Sequence, residues 1–570
     1  MSSSQGAALG LLARAFDLQQ RGALDAAEAL YLQALAADPD DPTALVNGGA
    51  VALARGDLPL AIARFERAER VVPRNAVVQN NLGFALLHAS RPEDALAACD
   101  RALSLQPSLA TAHNHRGIAL AQLRRTAEAR AAFAQALNLD PRLTLAALNL
   151  GEQANHAGDG AAALVAYDRA LALEPDNVHA ATGRAFALAL AGDLPAATQA
   201  LEAIVTRAPQ HAPAWQTLGA VRNFAWDHDG AEAAFHHALA LVPNDVDARF
   251  GVASARLGRG DFAAGWDAFE RRPDRAATAD AALASLPAWD GRSFDGTLVI
   301  YGEQGFGDIV QFARFVPLAR RRARVVVVLL SGDHAALAPL LASLEGVDSV
   351  LTQVRDLPTP EHAARVSILS LPHRLGIDAK GLAMAAPYVH APADRRAAWL
   401  AHMHDKPRPR VGLAWSVLAR GVHGFVTKHK SIPPPVLAPL LAGGDTVFVT
   451  LQPGAEGDPA AFGRRASAIV DVRASLRDFA DTAALIEQLD LVISADTAVA
   501  HLAGALRKPV WLLDRYNACW RWRAASDASP WYPSMRIFRQ SHFGNWDDVG
   551  TRVAVAFAEW RAGLSRQAPT

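Results

Sequence analysis

The stretch that decides the fold is Ala110–Pro141, "ATAHNHRGIALAQLRRTAEARAAFAQALNLDP". Gly117 stands 24 residues before Pro141, Ala129 stands 12 before it, and Phe133 follows Ala129 by four. The same frame recurs outward in both directions. Pro39, Pro73, Pro107, Pro141, Pro175, Pro209 and Pro243 are each 34 residues apart. Ala27, Ala61, Ala95, Ala129, Ala163, Ala197 and Ala231 keep step with them. So do the larger residues Tyr31, Phe65, Cys99, Phe133, Tyr167, Leu201 and Phe235, and the glycines Gly49, Gly83, Gly117, Gly151 and Gly219. Small residues let two helices approach closely, a larger one fills the gap, and proline ends the second helix. A degenerate eighth unit closes with "GDFAAGWDAFERR" (Gly260–Arg272).

A 34-residue helix-pair period resembles the tetratricopeptide repeat (TPR). Residues 8–272 are therefore read as an α-helical TPR solenoid of about seven to eight repeats, whose stacked pairs make a concave groove. Asn47, Asn81 and Asn149 share one repeat position; His115 fills it in the intervening repeat, beside Asn114. In the TPR arrays of O-GlcNAc transferases, asparagines at this position grip extended peptide backbone. An amide suits that task because it both donates and accepts. The expected occupant of the groove is a protein; the alternative is a solvated polar helix face.

Composition narrows the rest. At 570 residues the chain is long enough for roughly two to four domains. The 56 basic and 57 acidic residues nearly cancel, which argues against a nucleic-acid binder. Cys99 and Cys519 are the two cysteines, too few for a disulfide framework or a CxxC metal site. Together with an N-terminus that lacks a signal-peptide pattern, they predict a cytoplasmic protein. The apolar runs are of strand length, so no membrane span is expected.

Beyond Arg272 the pattern changes. Residues 273–296 read as linker and lead-in. From Thr297, short β-branched runs alternate with helical stretches: "TLVIYG", "ARVVVVLL", "DSVLT", "RVSILSL", "RVGLAW", "TVFVTLQ", "DLVISAD" and "PVWLL". That alternation predicts parallel α/β sheets. "MHDKPRPR" (Met403–Arg410) divides them into two Rossmann-like lobes, 297–402 and 403–545, followed by a C-terminal helix and tail, 546–570.

Ligands of such sheets bind beyond the C-terminal ends of strands, and three loops lie there. In "GEQGFGD", Gly302, Gly305 and Gly307 leave room for a ligand, and Asp308 is placed to take a proton or merely to cap a helix. The spacing is not GxGxxG, so a nicotinamide cofactor is not expected. The basic loop Ser416–Ser431 carries Arg420, His423, Lys428, His429 and Lys430, suited to phosphate or simply solvated. In "SADTAVAHLAGALRKPVWLL", Asp496, Thr497 and Ala498 fall at a predicted helix N-terminus, with His501 one turn on.

Taken together, "GEQGFGDIVQFARFVPL", "RVGLAW", "KHKSIPP", "DFADTAALIEQLDLVISADTAVAHLAGALRKPVWLL" and "SPWYPSMRIFRQ" resemble the glycosyltransferase domain related to bacterial heptosyltransferases, with a GT-B fold. The resemblance implies inverting, metal-independent transfer from a CMP- or NDP-linked sugar, with no resident cofactor. It makes Asp308 the base, Lys428 or Lys430 the donor-phosphate lysine, and Asp496, Thr497, Ala498 and His501 the donor-binding segment. It puts the acceptor on the first lobe and the donor on the second. "VLARGVHGFVT" departs from the shorter Asn/Pro/Arg-rich segment of TPR-bearing relatives, which leaves the donor open. The combination with TPR resembles bacterial protein glycosyltransferases, including those acting on flagellin with a nonulosonic acid on CMP. A polysaccharide or lipid-linked acceptor and a non-catalytic adaptor are the alternatives.

Overall fold

A computed structural model describes residues 3–272, 280–382, 387–417, 430–443, 445–517, 519–522 and 526–567. Among them, sixteen α-helices run from Ser3–Gln20 to Phe262–Phe269, two per repeat. The repeat frame explains the packing. Gly117 lies on helix Ala110–Gln122 and Phe133 on Thr126–Leu139. A Cβ at Gly117 would stand 2.5 Å from the Phe133 ring, so only glycine admits that approach. Gly83 meets the Cys99 sulfur in the same way, at 2.8 Å. Burial pushes that thiol up to about 12, so Cys99 behaves as a packing residue.

The chain forms two compact units, Met1–Leu190 and Ala191–Thr570. The first holds helices only, its core rich in alanine, with larger residues such as Tyr31, Phe65, Leu82 and Phe133 between them. In the second, the helices from His228–Leu241 to Phe262–Phe269 share a core with the α/β region. Trp266, 2% exposed, stands edge-on to Phe312, Trp520 and Trp531, and its indole N–H donates to the Ile377 carbonyl at 3.0 Å.

Each lobe holds one parallel sheet. The first comprises β1 (Phe294–Tyr301), β2 (Ala323–Leu329), β3 (Ser349–Leu351) and β4 (Ala363–Ser367), in the order β3-β2-β1-β4. The second comprises β5 (Arg410–Ala414), β6 (Val447–Thr450), β7 (Ile469–Val470), β8 (Leu491–Ser494), β9 (Val510–Asp514) and β10 (Met535–Arg539), in the order β10-β9-β8-β5-β6-β7. All eight expected strands are present; β7 and β10 are additional. Strand order reverses at β1/β4 in one lobe and at β5/β8 in the other, and a switch point of this kind opens a crevice at the strands' carboxyl ends. The glycine loop follows β1, and Asp496 follows β8. Part of the stretch read as lead-in is folded here: helix Ala281–Ser285 and a Trp289 that is 3% exposed both precede β1. Helix Trp546–Gln567 covers the outer face of the second sheet through Val549, Val553 and Phe557. Among the described residues no helix is long and apolar enough to cross a membrane.

Candidate functional site

The glycine loop separates its two carboxylates. Glu303 is 6% exposed and turns inward. It holds Arg272, the last described residue of the repeat half, through two bonds of 2.9 Å. The same guanidinium donates to the hydroxyls of Ser367, the last residue of β4, and Ser370 just beyond it. Asp308 instead stands three residues into helix Phe306–Phe312, with its Oδ2 accepting the Gly305 N–H at 3.1 Å. It is thus an inward-reaching N3 partner and not the N-cap that the sequence offered as an alternative. The left-handed residue of the turn is Gln304, at φ 62°, rather than a glycine. Gly307 is needed for a different reason: a Cβ there would lie 2.8 Å from the His501 ring and 3.4 Å from Ala498 Cα. That close approach seats the first lobe's helix on helix Ala498–Ala505 of the second.

Thr497 caps this second helix, its hydroxyl accepting the Val499 N–H at 3.2 Å. Asp496, just before it, receives Lys430 Nζ at 2.6 Å. Burial works against the Asp496 carboxylate, but Lys430 and then His501 outweigh it and hold the group well below the usual range. His501 Nε2 lies 3.9 Å from Asp496, Nδ1 lies 3.1 Å from the Tyr532 hydroxyl, and the ring stacks on Trp522. Lys428, with Arg420, His423 and His429, lies outside the described residues.

Burial carries the His501 imidazole down to about 4 despite the attraction of Asp496, so the ring is neutral at physiological pH. An imidazole in an unfolded chain titrates near 6.5. Stability from keeping this ring neutral is therefore complete above about pH 6.5. It declines as pH falls toward 4, by on the order of 3 kcal/mol, because the unfolded chain binds the proton first. A 13C-histidine NMR titration of the folded protein is expected to place the His501 midpoint near 4; a midpoint above 6 contradicts the geometry.

Several residues here were not anticipated from sequence. Arg521 reaches the first lobe, its Nη2 2.5 Å from Asp308 Oδ1 and its Nε 2.8 Å from Gln311 Oε1. Asp514, at the end of β9, is 1% exposed; burial pushes its carboxyl up to about 6 even with Arg539 at 3.3 Å. Arg314 is fully buried, donating to the carbonyls of Gln311, Leu382 and Trp531 while its Cζ stands 4.6 Å from the Tyr532 ring. Of these, Gln311 and Arg314 lie within "GEQGFGDIVQFARFVPL" and Tyr532 and Arg539 within "SPWYPSMRIFRQ", whereas Arg521 and Asp514 carried no sequence signal.

In the first unit the repeat asparagines bond one another. Asn149 donates to Asn114 Oδ1 at 2.8 Å, and one repeat earlier His115 Nδ1 meets Asn80 Oδ1 at 2.9 Å. Asn80 Nδ2 donates weakly to Asn81 at 3.4 Å, and Asn47 is half-buried. Phe84 stacks on His115 and helps line an apolar hollow of about 500 Å³ with Ala50, Leu53, Leu58 and His88.

Helical repeats joined to two Rossmann-type sheets, with charged residues converging at both switch points, define a two-lobed α/β protein bearing a TPR array. Comparison with known proteins specifies its class. Tetratricopeptide repeat models match residues 46–110, 110–143 and 154–221. The model described as glycosyltransferase family 9 (heptosyltransferase) matches 467–549, a span that holds Asp496, His501 and Arg521 but neither Asp308 nor Lys430. Protein FlbA of Caulobacter vibrioides is 27% identical over 426 residues, covering 64% of this chain and 70% of that protein. Among solved structures, a tetratricopeptide repeat protein from Parabacteroides merdae is 19% identical, covering 43% of this chain and 97% of its own, with a TM-score of 0.36. The Thermus thermophilus TPR protein TTC0263 is 26% identical, covering 32% and 99%, with a TM-score of 0.29. The chain thus carries tetratricopeptide repeats and a segment similar to family 9 glycosyltransferases, which together support a TPR-containing glycosyltransferase.

Proposed function

We propose that this glycosyltransferase is an inverting, metal-independent protein O-glycosyltransferase. Its repeats, residues 8–272, recruit the acceptor, with flagellin the leading candidate. Lobe 297–402 presents the acceptor hydroxyl, and lobe 403–545 holds the nucleotide sugar. The observation that carries the reading is the close approach of Gly307, the neighbour of Asp308 at one switch point, to His501, which lies 3.9 Å from Asp496 at the other, in a chain that also bears tetratricopeptide repeats.

In this mechanism Asp308 accepts the proton of a serine or threonine hydroxyl. The hydroxyl oxygen bonds to the anomeric carbon as the bond from that carbon to the donor phosphate breaks, and the electron pair leaves with the nucleotide. Attack opposite the leaving group inverts the centre. Lys430, Lys428 and the backbone N–H groups around Thr497 and Ala498 stabilise the departing phosphate. His501, neutral and held by Tyr532, serves as hydrogen-bonding partner rather than cation. In the repeats, Asn47, Asn81, His115 and Asn149 contact acceptor backbone, whereas Asn114, expected in the groove, is 3% exposed and instead holds Asn149. Their mutual bonds keep the amides in one orientation, and the adjoining hollow takes an apolar side chain.

The donor of first choice is a CMP-linked nonulosonic acid, with NDP-hexose or NDP-heptose as the competing class, and the site of action is the cytoplasm. The test is an incubation of purified protein and flagellin with each donor class, read by intact-protein mass. A donor-dependent mass increment supports the reading. Donor turnover only onto saccharide or lipid-linked acceptors overturns it.

A further inference from the structure

Asp308 cannot act as base in the arrangement it occupies. Its Oδ2 accepts the Gly305 N–H and its Oδ1 is closed off by Arg521 at 2.5 Å. Arg521 is itself well held: Nε donates to Gln311 Oε1, Nη1 lies 3.0 Å from the Cys519 sulfur, and Cζ stands 4.4 Å from the Trp520 ring. Gln311 is fully buried, and its Nε2 has no partner among the described residues. The pair is not sealed: the side chains of Arg521 and Asp308 are 12% and 22% exposed. Lys430 is likewise engaged, on Asp496.

A planar guanidinium fork matches an incoming carboxylate or phosphate as well as it matches Asp308. We propose that Arg521 is a donor-sensing residue: Asp308 occupies it as a stand-in anion until the donor's own anionic group takes the guanidinium and frees Asp308 to deprotonate the acceptor. The base is thereby competent only when donor is bound. This rests on Asp308 being the base of the glycosyl transfer proposed above. The anion is either the carboxylate of a nonulosonic sugar or the donor phosphate, and both use the same chemistry.

The consequence is competition. If Asp308 and donor contend for Arg521, removing the Asp308 charge strengthens donor binding. Isothermal titration of the full chain with CMP, CMP-N-acetylneuraminic acid and UDP-N-acetylglucosamine is the test, using wild type, Asp308→Asn, Arg521→Gln, Arg521→Lys and the Asp308→Asn/Arg521→Gln double variant. Asp308→Asn is expected to bind the anionic donor about 3- to 10-fold more tightly than wild type, and the double variant is expected to show no gain over Arg521→Gln. Arg521→Gln is expected to raise the donor KM about 10-fold or more, with a smaller change in kcat, and Arg521→Lys to lie between. A loss confined to CMP-N-acetylneuraminic acid identifies the sugar carboxylate; an equal loss for all three identifies the phosphate. Three results overturn the proposal: unchanged or weaker binding by Asp308→Asn, a gain that persists in the double variant, or wild-type donor KM in Arg521→Gln. Should Asp308→Asn retain full transfer activity, the base assignment fails, independently of the binding cycle.

Discussion

Asp308→Asn is expected to lower kcat for glycosyl transfer by about 10²- to 10⁴-fold, the range that one positioned general base supplies. The substitution keeps an oxygen for the Gly305 N–H, while the neutral amide is a poor proton acceptor. The variant is expected to stay folded with a lowered melting temperature, because Arg521 loses its ion-pair partner but keeps Gln311. Steady-state kinetics with saturating donor and acceptor, beside a thermal scan, separates the two effects. Wild-type kcat in the folded variant removes Asp308 from the chemistry and, with it, the reason for the switch-point geometry.

The second large effect concerns stability. Arg272 and Glu303 form a two-pronged ion pair with side chains 5% and 7% exposed. Removing one partner strands a buried charge, which typically costs about 3–5 kcal/mol, whereas replacing both with uncharged groups of similar volume costs much less. Arg272→Ala is therefore expected to destabilise the second unit by about 3–5 kcal/mol. Arg272→Met/Glu303→Gln is expected to recover at least half of that loss. All twelve tryptophans lie at or beyond Trp215, so urea unfolding followed by tryptophan fluorescence reports on the second unit alone. A loss below about 1 kcal/mol in Arg272→Ala would show the pair to be solvated instead of structural. Because the pair ties the end of the repeats to the loop carrying Asp308, the same variant is expected to lower transfer activity while it remains folded.

The two halves differ in how much of them was legible. In the repeats a period converts sequence distance into contact, so Gly117 against Phe133 follows from a fixed offset, and the structure has that contact. The eight strands were legible because buried parallel strands are continuous apolar runs. β10, "MRIFR", interleaves arginine with apolar residues, and β7 spans two residues, so neither stood out. At the site, Asp496 and His501 are five residues apart, and one turn of helix explains their proximity. Arg521 and Asp308 are separated by 213 residues, and no local pattern links them. Glycines were expected to supply the turn after β1, yet Gln304 takes the left-handed conformation and Gly307 makes room for His501. Asn80 was passed over because it sits one position before the repeat slot, although its carbonyl is what His115 meets.

The central claim, that this chain glycosylates a protein, is tested most directly by the intact mass of flagellin from cells carrying the wild-type chain and from cells carrying Asp308→Ala. Regular mass increments present in the first and absent in the second are the predicted result, and the size of the increment identifies the sugar. Identical masses, with the variant stably expressed, would contradict flagellin as the acceptor or Asp308 as the base. Identical masses after removal of residues 276–570 as well would move the chain to another acceptor class.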